Sequence, residues 1–111
     1  MTDVQYEIYK SYVKRGYKII CELQISDEVA KAVLYHRENY DGSGYLEGLF
    51  GKNIPLLSRI LGVSDYVDRH LNWHETPEDI IEKLKRKQGI QFDPEIVKKM
   101  CEILVEEKEA S

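Results

Sequence analysis

Within residues 35–46, Tyr35-His36-Arg37-Glu38-Asn39-Tyr40-Asp41-Gly42-Ser43-Gly44-Tyr45-Leu46, an imidazole, a guanidinium and two carboxylates fall close together. His36 and Glu38 are of types that hold divalent metals or move protons near neutral pH. Asp65 is a further candidate, an acid near a helix face that reads as buried. It needs a partner there, which Arg37, Arg59 or a metal would supply. The glycines Gly42, Gly44 and Gly48 tolerate positive φ and close backbone approach, so this stretch reads as a shaped loop. Tyr40, Tyr45, Leu46, Leu49 and Phe50 are more apolar than a solvated loop requires. They either pack onto the helices or meet a partner.

The elements that must position these residues read as helices. From about Asp3 to Leu23, apolar residues recur at helical spacing, with Thr2 as N-cap and Gly16 marking a close helix crossing. Ser26 caps a second helix whose inner face reads Val29, Ala32, Val33 and His36. Pro55 opens a third, running through Leu57, Ile60, Leu61 and Ser64 to about Leu71. Thr76-Pro77-Glu78-Asp79 starts a fourth with Ile80, Ile81 and Leu84 inward, ending before Gly89. Asp93-Pro94-Glu95 starts a fifth with the stripe Ile96, Val97, Met100, Cys101, Leu104 and Val105. No segment alternates as a strand does. The expected fold is all-α, about five helices in a single domain over residues 1–111.

Composition narrows the function classes. Net charge is −4 and the isoelectric point is near 5.4, so nothing favours a nucleic-acid backbone as partner. No apolar run approaches the roughly 20 residues of a membrane span, and no signal-peptide layout opens the chain. Cys21 and Cys101 match no ligand spacing and read as two buried thiols. The expected location is cytoplasmic. His70 and His74 read as surface residues flanking Trp73, a packing anchor.

Taken together, Glu38-x-x-Asp41-Gly42-Ser43-Gly44-Tyr45, Gly48-Leu49-x-Gly51, Ile54-Pro55-Leu56, Arg59-Ile60-Leu61 with Asp65, and Gly89-x-Gln91-Phe92-Asp93-Pro94-Glu95-x-Val97 resemble the HD-GYP domain. The resemblance runs from about residue 5 to 105. It implies an HD-domain-like helical bundle and a metal-dependent phosphodiesterase acting on cyclic di-GMP, with an iron or manganese di-metal centre. Several positions depart from that pattern. The family's His-Asp pair belongs upstream of everything in this chain, so the domain reads as N-terminally truncated. A further family His falls on Tyr12, the family's His-His-Glu is His36-Arg37-Glu38, and its Gly-Tyr-Pro is Gly44-Tyr45-Leu46. Between Asp68 and Thr76 no counterpart exists for its phosphate-holding arginines.

Only His36 and Asp65 remain of the family's ligand set, and Tyr12 and Arg37 stand where ligands belong. Two ligands cannot fix two cations and an activated water, so no catalytic residue and no cofactor are expected. The expectation is a degenerate, inactive HD-GYP-like domain acting as an interaction or regulatory module in cyclic di-GMP signalling. Its interaction loop would be Glu38, Asp41, Gly42, Gly44, Tyr45, Leu46, Leu49 and Phe50. The resemblance implies a diguanylate cyclase domain as protein partner, and the missing helices imply a homodimer. The alternatives are a phosphodiesterase fragment completed by a partner or domain swap, and a nucleotide sensor using Arg37, Arg59, Arg69 and the basic run from Lys83 to Lys87.

Overall fold

A computed structural model describes residues 14–24, 26–44 and 47–110 of the chain. Helix α1 is helical over residues 14–22. It is followed by α2 (Asp27–Tyr35), a single 3-10 turn (Gly51–Asn53), α3 (Leu56–Asn72), α4 (Pro77–Lys87) and α5 (Pro94–Ala110). Among the described residues there is no strand, only isolated bridges between Asp41 and Phe50 and between Gln88 and Phe92. The all-α, five-helix expectation holds.

Helix starts follow local chemistry. The Ser26 side chain accepts from the Val29 N–H and Thr76 from the Asp79 N–H, each with acids in the first turn facing the positive end of the dipole. Pro77 sits at the first helical position of α4, where its missing donor is not needed. Asp93 Oδ1 accepts from the Glu95 N–H at 2.9 Å, opening α5. The cap proposed at Thr2 lies outside the described residues.

Helix α3 is the hub and packs against α2, α4 and α5. Its buried residues are Ser58, Val63, Tyr66 and Val67, not the expected face, since Ile60 is 40% and Leu61 41% exposed. The reason lies in having neighbours on several sides: no single stripe defines the interior, and small residues are buried where α2 crosses. There Ser58 Oγ donates to Ala32 O at 3.0 Å. A Cβ on Gly62 would lie 3.0 Å from the His36 carbonyl oxygen. The close crossing is therefore at Gly62, whereas a Cβ on Gly16 would meet Val33 at an ordinary 3.7 Å.

On α2, Ala30 and Ala32 are the buried residues and Val29 is exposed, because α1 and α3 both approach this short helix. The main core joins Val63, Tyr66, Val67, Ile80, Leu84, Phe92, Val97 and Leu104, with Ile81, Ile96, Met100 and Cys101 packed at its margin. Val105 is exposed. Of the two thiols expected to be buried, Cys21 is exposed and Cys101 is half-buried. No helix among the described residues is long and apolar enough to cross a membrane.

Candidate functional site

The residues singled out around His36 line one cleft of about 140 Å³. Its walls are the C-terminal end of α2, residues 37–40 leading into the glycine loop, the face of α3 from Ser58 to Arg69 and the turn before α5. His36 caps α2. Its Nδ1–H donates to Val33 O at 2.6 Å, which fixes the tautomer and leaves the lone pair on Nε2.

The glycine loop is shaped from within. Glu38 is 7% exposed, and its carboxylate accepts the Glu47 N–H at 2.6 Å and the Leu49 N–H at 3.1 Å. Glu38, expected as a member of the interaction loop, is the buried post around which the loop winds. Asp41 Oδ1 accepts from both the N–H and the hydroxyl of Ser43, which holds its carboxyl below the usual range. Gly44 lies so close that an added Cβ would stand 2.6 Å from the Asn39 nitrogen. Gly42 and Gly48 have positive φ.

The loop is also tied to a turn some 50 residues further along the chain. Tyr40 N–H donates to Gln91 O (3.1 Å) and Asp41 N–H to Ile90 O (2.9 Å), both in the turn joining α4 and α5. Phe50 is left 62% exposed and Leu49 is half-buried. Tyr45, Leu46 and Tyr12 lie outside the described residues.

Across the cleft, two guanidinium groups share one carboxylate. Arg37 Nη2 lies 3.5 Å and Arg69 Nε 3.1 Å from Asp65 Oδ2. Arg59 does not reach Asp65. It donates to Asp93 Oδ2 at 2.7 Å and to Ile54 O at 2.9 Å, with Asp93 almost wholly buried. Sequence reasoning missed Asp93 as a site residue, because the helix start Asp93-Pro94 carries no trace of a partner 34 residues away. It also missed Arg69 as a partner of Asp65, although four-residue spacing on one helix is a legible signal.

This donor set does not fit the di-metal centre that the resemblance implies. His36 offers one nitrogen, while the Asp65 and Glu38 carboxylates are engaged by guanidiniums and backbone amides. Among the described residues no three His, Cys, Asp or Glu side chains form a group that could hold a metal ion.

A second polar cluster sits at the opposite end of α3 and corrects the reading of His70 as a surface residue. His70 is mostly enclosed and pairs with Glu75, which also receives Lys83. The His70 ring lies 4.0 Å from the Tyr66 ring centroid. Trp73, expected to anchor packing, is 62% exposed and touches His70 edge-on. His74 is exposed with φ of 63°. None of these groups lines the cleft of His36.

Comparison with known proteins agrees with this architecture. The family model described as "HD domain" matches residues 1–96. The chain is 33% identical over 106 residues to the cyclic di-GMP phosphodiesterase response regulator RpfG of Xanthomonas campestris, covering 87% of this chain and 28% of that protein. It is 31% identical over 104 residues to a 3'3'-cGAMP-specific phosphodiesterase of Vibrio cholerae, covering 94% of this chain and 22% of that protein. The crystal structure of a cyclic GMP-AMP specific phosphodiesterase of Vibrio cholerae superimposes with a TM-score of 0.84 at 29% identity, covering 96% of this chain and 25% of that one. The chain thus spans about a quarter of the length of these curated relatives. With the HD-GYP motifs around Gly42–Gly44, this bundle of helices and these relatives all in agreement, the chain belongs to the HD domain family.

Proposed function

We propose that this chain is a catalytically silent HD-GYP-type module that works by protein contact in cyclic-dinucleotide signalling, in a cytoplasmic setting. One observation carries the reading: Arg37 and Arg69 both face Asp65, in the cleft where a relative of this fold would need metal ligands. A divalent ion brought to Asp65 would meet two positive charges already lying 3.1 and 3.5 Å from the same carboxylate oxygen. Their mutual repulsion opposes binding more strongly than one imidazole nitrogen favours it. Without a metal-activated water, hydrolysis of a phosphodiester has no nucleophile here.

The surface offered to a partner is the glycine loop, held rigid by Glu38 and carrying exposed Phe50. A diguanylate cyclase domain is the proposed partner. The test pairs two measurements on the purified protein. Metal content after growth with iron and manganese is expected below about a tenth of an equivalent, where a structural or catalytic site would hold about one or more. Capture of a diguanylate cyclase domain is expected to be lost with Phe50→Asp, which alters an exposed side chain and leaves the core intact. One or two equivalents of metal, together with turnover of cyclic di-GMP, would overturn the silent reading in favour of a hydrolase completed by another chain.

A sensor reading has one specific observation in its favour, since Arg37, Arg59 and Arg69 all line the same cleft. Each already faces an acid, so a phosphate would have to displace a carboxylate. Calorimetry with cyclic di-GMP is therefore expected to give no heat at micromolar concentration.

A further inference from the structure

We draw no further inference here: the strongest candidate, the apolar groove between α4 and α5 floored by Ile81, Val97, Cys101 and Val105, is an unpartnered face, and nothing in the structure shows what covers it.

Discussion

Arg37 Nη2 lies 3.5 Å from Asp65 Oδ2, bringing the residue after His36 onto a carboxylate of α3. Arg69 reaches the same oxygen from one helical turn further along. Both guanidiniums and the acid are about two-fifths exposed or less, so their attraction is partly screened by water. Asp65→Asn is expected to cost about 1 kcal/mol, seen as a fall of several degrees in Tm. The destabilisation should shrink in high salt. If Asp65 served a metal instead, the same substitution would change metal content and leave the melt of the apo protein alone.

The Arg59–Asp93 pair is of a different kind. It is nearly enclosed, at 12% and 2% side-chain exposure, and Asp93 also opens α5 through the Glu95 N–H. Removing one partner strands the other charge, so Asp93→Ala is expected to lose about 3 kcal/mol. Replacing both, as Arg59→Met with Asp93→Ser, should recover part of that, because the buried charge is gone and a cap remains. Urea denaturation of the two variants beside the unchanged chain gives the comparison.

Glu38 and Gly44 define the loop together. Gly44→Ala drives a Cβ toward backbone at Asn39 and the Glu38 carboxylate, neither of which is a flexible tip. Hydrogen exchange at the Glu47 and Leu49 amides, which donate to Glu38, is expected to rise by about tenfold or more in Gly44→Ala and in Glu38→Ala. Exchange within α5 should not move, since its own ladder is untouched.

At the other end of α3, the Lys83 ammonium bonded to Glu75 holds that carboxyl below its ordinary value of 4.5. The same bond lifts Lys83 above 10.5. The Glu75 contribution is therefore complete above its ordinary pKa and disappears as pH falls through the depressed one. The Lys83 contribution is complete below its ordinary pKa and disappears as pH rises through the elevated one. Thermal melts should show a plateau between these limits, with an acid-side fall that Glu75→Gln reduces. An unchanged acid limb in that variant would mean the fall comes from other carboxylates.

What could be read without coordinates was whatever depends on neighbours along the chain. Ser26, Thr76-Pro77 and Asp93-Pro94 mark helix starts because a cap acts over three residues. The loop at Gly42–Gly44 is legible because its glycines stand where side chains are excluded, and the HD-GYP motifs identified the family. The inward face of α3 was misread, since its apolar residues spread over a helix with three neighbours, and burial went to Ser58 where α2 leans in. His70 was taken for a surface residue because Glu75 and Lys83 enclose it only after the chain turns back. The sequence alone determined the helices, the family and the presence of Arg37 beside His36. Tertiary structure decided which acid each arginine meets, because the pairing of Arg59 with Asp93 and of Arg37 with Asp65 spans residues that only helix packing brings within bonding distance.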